Sequence, residues 1–325
     1  MTGVLLEVSD LKVTFAGRGR PVRAVDGVSF SVYAGQTLAI VGESGSGKTV
    51  SCRAVMGLLP PAAVVTGSAA FAGTQLIGLS DDQLRAHRGA NVAMVFQDPT
   101  RSLNPTMRIG SQIAEAVRAH RPVGKAQARE RAVELLRQVH IPLPERRCTE
   151  YPHQLSGGMR QRVMIAIALA CRPRLLIADE ATTALDVTTQ AQIMELLLEL
   201  QAELGMALML ISHDLGLAAS YADEVIVMYA GRIVEQAPAP QLFSRVRMPY
   251  TQALLEAIPR LERPAHAPLP VIGGRPPDLS ALPAGCSLAP RCRHAADDCQ
   301  AAEPPLAEHE PGHRWACWHP VGGKA

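Results

Sequence analysis

The sequence lacks an excess of charge, a long hydrophobic run and a leader-like beginning. Lys and Arg total 32 against 30 for Asp and Glu, a net charge of +2. That balance excludes a nucleic-acid coat and a polybasic membrane anchor. The longest uninterrupted apolar run, Val163–Cys171, falls far short of the roughly 18 residues that span a bilayer. Met1-Thr-Gly-Val-Leu-Leu-Glu7 has no basic region followed by a long apolar stretch, so it does not read as a signal peptide. No internal repeat is visible. A soluble, cytosolic chain is expected.

What is present is ample apolar material, 47% of 325 residues with 19% charged, which excludes disorder over most of the chain. At about 150 residues per domain the length suggests two domains. The 7 cysteines stand out, because disulfides rarely persist in a reducing compartment. Cys52, Cys148 and Cys171 are scattered, whereas Cys286, Cys292, Cys299 and Cys317 crowd near the end. Of the 25 prolines, 11 lie between Pro264 and Pro320, so a long ordinary body precedes a short tail rich in proline and cysteine.

The body alternates strand and helix patterns. Short alternating apolar runs over 4–33 predict strands broken by a turn at 16–21. Leu38–Val41, Ala93–Phe96, Leu175–Ala178, Leu208–Ile211 and Val225–Met228 are continuous apolar runs, as in strands buried on both faces of a parallel sheet. Ser80-Asp-Asp-Gln83 is a capping box that starts a short helix. Residues 125–139 place Val133, Leu136 and Val139 on one helix face, and Ile193, Leu196, Leu197, Leu200 and Leu204 line another. An α/β fold follows, its sheet largely parallel in the centre.

Gly42-Glu-Ser-Gly-Ser-Gly-Lys-Thr49 fits the pattern G-x-x-x-x-G-K-[ST], after a buried strand and before a helix-forming stretch. Gly42, Gly45 and Gly47, with Ser44 and Ser46 between them, let backbone N–H groups converge on phosphate oxygens. The helix N-terminus adds roughly half a positive charge. Lys48 would neutralise the β- and γ-phosphates, and the Thr49 hydroxyl would ligate Mg²⁺. The chain therefore binds a nucleoside triphosphate. Leu175-Leu-Ile-Ala-Asp179-Glu180 is an apolar strand ending in two carboxylates. Two acids after a strand are common as solvated loop residues. Following a phosphate loop, Asp179 is placed to hold Mg²⁺ and Glu180 to orient or deprotonate the attacking water.

Leu155-Ser156-Gly157-Gly158-Met159 opens a basic, then apolar, helix just before that strand. Alone it is a helix cap and a second anion site. With Gln97 after Val95-Phe96, Ala184-Leu185-Asp186, and His213 ending Leu210-Ile-Ser-His213, it resembles the ordered motif set of ATP-binding cassette (ABC) ATPases. The resemblance covers about residues 4–260. It implies a P-loop nucleotide-binding domain over 1–260 with a mixed sheet core, an antiparallel β subdomain and a helical subdomain at about 98–172. It implies that Ser156, Gly157 and Gly158 of one domain face the ATP held by another. It further implies that His213 contacts the γ-phosphate, that Gln97 senses Mg²⁺ and water, and that Asp186 couples the two sites. Phe15 resembles the aromatic residue that stacks on adenine, although an aromatic in a first strand is more often core. Ala181 departs from the proline of most relatives, which removes no donor or acceptor.

The tail cysteines follow C-x5-C-x6-C-x17-C, wider than the C-x2–4-C pairs of structural zinc sites. Four thiolates still suggest a metal or iron–sulfur site. Tyr151–Met159, Asp186–Gln192, Pro249–Leu255, Ile272–Pro277 and Gly285–Cys292 resemble the oligopeptide/dipeptide importer branch. Within it they fit the first of two non-identical ATPase subunits. That resemblance implies a tail over 261–325 whose Cys286, Cys292, Cys299 and Cys317 hold a [4Fe–4S] cluster on which its order depends. Zn²⁺ is the alternative, with His294, His309, His313 and His319 nearby. The implied partners are a second ABC ATPase subunit in a heterodimer, two transmembrane permeases and an extracytoplasmic peptide-binding protein, with no nucleic acid. The implied location is peripheral, on the cytoplasmic side of the cell membrane. Rival readings keep an importer but change its cargo to nickel, glutathione or a sugar, or make the chain a non-transport ABC ATPase.

Overall fold

The protein is described by a computed structural model over residues 3–16, 19–183, 185–258 and 272–322. Part of the expected turn at 16–21, Ala184 and the expected 260/261 boundary lie outside those residues. Among the described residues no helix is long and apolar enough to cross a membrane. The chain clusters into two units discontinuous in sequence: Met1–Leu5, Val32–Gln36 and Gly78–Ile211 form one, and Leu6–Ser31, Thr37–Ile77 and Ser212–Ala325 the other.

In chain order the first strands are β1 (Val4–Phe15), β2 (Val22–Tyr33), β3 (Thr37–Val41), β4 (Ala63–Phe71) and β5 (Thr74–Gln75). Then come β6 (Val92–Val95), β7 (Leu175–Asp179), β8 (Ala207–Ser212), β9 (Glu224–Tyr229), β10 (Arg232–Pro238), β11 (Ala307–Glu310) and β12 (His313–Trp315). An antiparallel sheet in the order β2-β1-β4-β5 has the alternating burial expected of one wetted face.

In the unit that contains residues 37–77 and 212–325, β3 is buried at every position and lies parallel to β9, Val41 opposite Val227. A tight turn at Ala230-Gly231, with φ of 50° and 81°, returns the chain as β10 antiparallel to β9. The tail adds the β11–β12 hairpin to β10, with Glu235 opposite Trp315. His313 Nε2 meets Glu235 Oε1 at 2.9 Å with both side chains wholly buried. The Arg247 guanidinium lies 5.6 Å from the Trp315 ring centre and pairs with Glu310. The tail thus has packed and paired anchors of its own, beyond any tether through its cysteines.

In the other unit β6, β7 and β8 are parallel, with Val92 opposite Leu175 and Leu175 opposite Ala207. Their uninterrupted apolar runs are buried throughout, apart from the half-buried Ser212, as strands covered on both faces require. Helices Ile109–His120, Lys125–Gln138 and Gly157–Ala168 pack together in the segment after β6. The buried face of Lys125–Gln138 is Ala128, Ala132, Leu135 and Leu136, and Val133 is only half-buried. Of the expected face, Leu136 and Val139 are fully buried and only Val133 departs, the stripe being completed by Ala128, Ala132 and Leu135. Each fully buried leucine contributes about 1.5–3 kcal/mol. Helix Val187–Leu204 starts at an Asp186 cap and stops at Gly205 in the left-handed region, φ 63°.

Candidate active site

The loop between β3 and the helix Lys48–Val55 wraps a cradle that side chains would fill. Gly42 has φ +151°, and a Cβ there would lie 2.2 Å from the Met228 carbonyl oxygen. Gly47 has φ +102°, and its Cβ would lie 2.5 Å from the Ala24 carbonyl oxygen. These positions admit only glycine, which is why the motif is spaced as it is. Lys48 is 3% exposed, and its Nζ donates to the carbonyl oxygens of Gly42 at 2.7 Å and Glu43 at 3.0 Å. The ammonium is thereby held at the mouth of its own loop. Ser46 Oγ is buried without a hydrogen-bond partner among the described residues, as a donor kept for a bound oxygen would be. Ser44 and Gly45 are exposed at the tip and Thr49 is half-buried in the first helical turn. Phe15 is half-buried at the end of β1.

Glu43 is held on every polar side. Its N–H donates to the Tyr250 hydroxyl at 2.8 Å, and its carboxylate is paired with Arg291 at 2.7 and 3.0 Å. Both partners lie in segments that carry the importer resemblance, Pro249–Leu255 and Gly285–Cys292, but neither was assigned a role at the phosphate loop. The signal for that role is that an acid inside an anion-binding loop calls for a cation from elsewhere. His213 is exposed at the end of β8, one residue before Asp214, whose carboxylate caps the helix Leu215–Tyr221 by accepting from Gly216 N at 2.7 Å.

The second cluster lies at the end of β7. Asp179 is 1% exposed at the last position of that strand. Glu180 turns the chain with φ 48°, in the left-handed region, at a cost of about 1–3 kcal/mol for a residue with a side chain. Its N–H donates to Ile211 O at 2.9 Å, which holds that turn in place. Gln97 Nε2 donates to Glu180 Oε2 at 2.7 Å across 83 residues of sequence, and Thr183 Oγ1 lies at 3.5 Å. The structure so brings together a carboxylate and an amide read from separate motifs.

Ser156 caps the helix Gly157–Ala168, its hydroxyl accepting from Met159 N at 3.3 Å. A Cβ on Gly158 would lie 2.8 Å from Thr189 Cγ2, so the start of that helix passes close to the next motif. Asp186 caps its own helix, accepting from Thr189 N at 2.9 Å and Thr189 Oγ1 at 2.7 Å. These bonds hold its carboxyl below the usual carboxylate range.

In the tail, Cys286, Cys292, Cys299 and Cys317 are all free thiols. Burial pushes the Cys317 thiol up to about 12, and the neighbouring Cys286, Cys292 and Cys299 push it in the same direction. Burial also raises Cys286 and Cys292. Backbone N–H groups are turned toward them, His294 N to Cys292 Sγ at 3.3 Å. His319 meets Asp298 at 2.8 Å, and with Cys299 they offer ligand atoms within 4.8 Å of one another. His313 Nε2 is bound to Glu235 and the His309 ring stacks on Trp315 with centres 4.4 Å apart. Cys52 and Cys148 are buried in the body, and a Cβ on Gly110 would lie 2.6 Å from Cys148 Sγ, so Cys148 is packing.

Comparison with known proteins adds three findings. The family profile "ABC transporter" matches residues 25–183, and "Oligopeptide/dipeptide transporter, C-terminal region" matches 234–299. The "Probable peptide ABC transporter ATP-binding protein y4tR" of Sinorhizobium fredii is 51% identical over 97% of this chain and 95% of its own length. The "Dipeptide transport ATP-binding protein DppD" of Escherichia coli K12 is 52% identical over 98% and 97%. Among solved structures, a dimeric post-hydrolysis ATP-binding cassette bound to ADP and Pi superposes with a TM-score of 0.64 at 28% identity, over 72% of this chain and 98% of that one.

Proposed function

The chain belongs to the ATP-binding proteins of the oligopeptide/dipeptide ABC transporters, and we propose from this that its ATP hydrolysis drives di- and oligopeptides inward across the cytoplasmic membrane. The observation that carries the hydrolytic part is the 2.7 Å bond from Gln97 to Glu180. It fixes one carboxylate oxygen and leaves the carboxylate to take a proton from water, while Gln97 orients that water. Lys48, Ser46 and the N–H groups of the loop bind the phosphates, and His213 touches the γ-phosphate. Phe15 stacks on the adenine. Charge developing on the transferred group is met by donors already in place, which is where most of the rate comes from.

Thr49, Gln97 and Asp179 offer a hydroxyl, an amide oxygen and a carboxylate, hard oxygen donors that suit Mg²⁺. When bound, Mg²⁺ neutralises the β- and γ-phosphate oxygens. The four tail thiols suit a [4Fe–4S] cluster by ligand type and number. It would supply a structural tether, with Zn²⁺ as the alternative occupant.

Membrane permeases are the transporter partners that this family implies. The chain pairs with a second, non-identical ATPase subunit, so that Ser156, Gly157 and Gly158 of each close on the ATP of the other, with Asp186 linking the two. Residues 98–172 pass closure to the permeases. Their surface carries a cavity of about 460 Å³ whose lining includes Arg108, Glu115, Arg118, Lys125 and Arg129. A periplasmic or surface-bound peptide-binding protein delivers the cargo, and the chain sits peripherally on the cytoplasmic side. The test is uptake of labelled peptide into vesicles holding both permeases, both ATPases and the binding protein. Uptake should need ATP and vanish with Glu180→Gln; uptake that persists without ATP would refute the reading.

A further inference from the structure

We propose that Arg291, in the C-terminal tail, is a positioning residue for ATP binding, neutralising and fixing Glu43 inside the phosphate loop. The inference rests on the reading that Gly42–Thr49 holds the phosphates. Glu43 is an acid in a loop whose ligand is a polyanion, and an uncompensated carboxylate there opposes binding. Arg291 supplies the compensation from 248 positions along the chain. Its Nη1 meets Glu43 Oε2 at 2.7 Å and its Nη2 meets Oε1 at 3.0 Å, a two-pronged pairing that sets orientation as well as charge. The Arg291 side chain is 4% exposed and that of Glu43 25%, so solvent screens the pair little.

Two more donors of Arg291 are engaged. Nε donates to Gly273 O at 2.8 Å, Nη1 also reaches the Tyr229 hydroxyl at 3.3 Å, and the guanidinium lies 5.8 Å from the Tyr229 ring centre. The guanidinium is therefore built into its place rather than laid over the surface. Glu43 transmits that placement directly, because its carbonyl oxygen accepts from Lys48 Nζ at 3.0 Å and its N–H is held by Tyr250. A residue gripped by its side chain, its N–H and its carbonyl cannot shift without moving the lysine that binds phosphate.

The experiment compares ATP affinity by equilibrium titration, and steady-state KM and kcat, in the full chain and in R291M, R291K and R291M/E43Q. R291M should raise the ATP Kd about tenfold or more, since it leaves a half-buried carboxylate unpaired beside the phosphates. KM should rise with Kd while kcat falls less. R291K keeps the charge without the fork and should recover part of the loss. R291M/E43Q removes the stranded charge and should bind ATP better than R291M alone. A tail that merely holds the domain together would leave the double variant as weak as R291M, and that result overturns the proposal. So does an R291M Kd equal to the wild-type value. If R291M does not fold, as read by circular dichroism, an R291K Kd indistinguishable from wild type overturns it instead. K48A is the control for the underlying reading: ATP affinity untouched by K48A would remove the phosphate loop itself, whatever Arg291 does.

Discussion

Alanine at Gly47 and at Gly45 should separate two ways in which the phosphate loop demands glycine. Both have φ in the region that side chains avoid, +102° and +82°. That alone costs roughly 1–2 kcal/mol for an L-residue. At Gly45 the new Cβ would meet nothing within 4 Å. At Gly47 it would lie 2.5 Å from Ala24 O and 3.3 Å from both Gly231 Cα and Met228 Cε. Backbone oxygen cannot swing aside as a side chain can, so overpacking adds about 1–3 kcal/mol there. The expected losses are about 1–2 kcal/mol for Gly45→Ala and about 2–5 kcal/mol for Gly47→Ala, or roughly 2–8 °C and 4–20 °C in Tm. The loop relieves the Gly47 clash by moving, which takes N–H groups off the phosphates. Each charge-assisted bond lost there weakens ATP binding by about tenfold or more. Thermal unfolding of the two variants, with ATP titrations of each, reads both effects. Equal Tm and equal Kd for the two would refute the cradle geometry.

Glu180→Gln keeps an acceptor for Gln97 but not the charge, so kcat should fall by about 10²–10⁴ while ATP still binds; near-normal turnover would contradict the role of Glu180. Lys48→Ala should raise the ATP Kd by roughly tenfold to a hundredfold, read by direct titration, because it deletes a buried cation aimed at the loop mouth. His313→Leu should destabilise the protein by about 3–5 kcal/mol in urea unfolding, since it leaves the buried Glu235 carboxylate with only the Arg247 N–H, at 2.8 Å, among the described residues. An unchanged midpoint would show that this pair does not anchor the tail. Cys317→Ser should lower the iron and acid-labile sulfide of anaerobically purified protein, and full retention would remove Cys317 from the ligand set.

Much of the molecule is legible locally. The runs at Leu38–Val41 and Leu175–Ala178 are buried strands because unbroken apolar sequence of that length has no wetted face to offer. The capping box at Ser80 and the glycine spacing of 42–47 act within a few residues, so their geometry follows from their chemistry. Where packing decides, local pattern falls short. The buried stripe of Lys125–Gln138 includes the expected Leu136 but takes Ala128, Ala132 and Leu135 where Val133 was expected, because helical periodicity does not fix which small or branched residues at the edge of a stripe are covered. Glu180 takes φ 48° although nothing in its type asks for it; its N–H is held from Ile211 on a neighbouring strand.

The sequence by itself determined the chemistry on offer: which residues carry the phosphate-loop pattern, which carboxylates stand after the apolar strand, and that four cysteines crowd near the end. These are properties of residue type and short spacing. Only the tertiary structure decided how those groups are held. The Gln97–Glu180 bond spans 83 residues, His313–Glu235 spans 78 and Arg291–Glu43 spans 248. The buried pairs, His313–Glu235 above all, form because burial leaves a charged or polar group no water to turn to, whereas Gln97–Glu180 is exposed; in each case the partner is set by where the fold brings distant chain together.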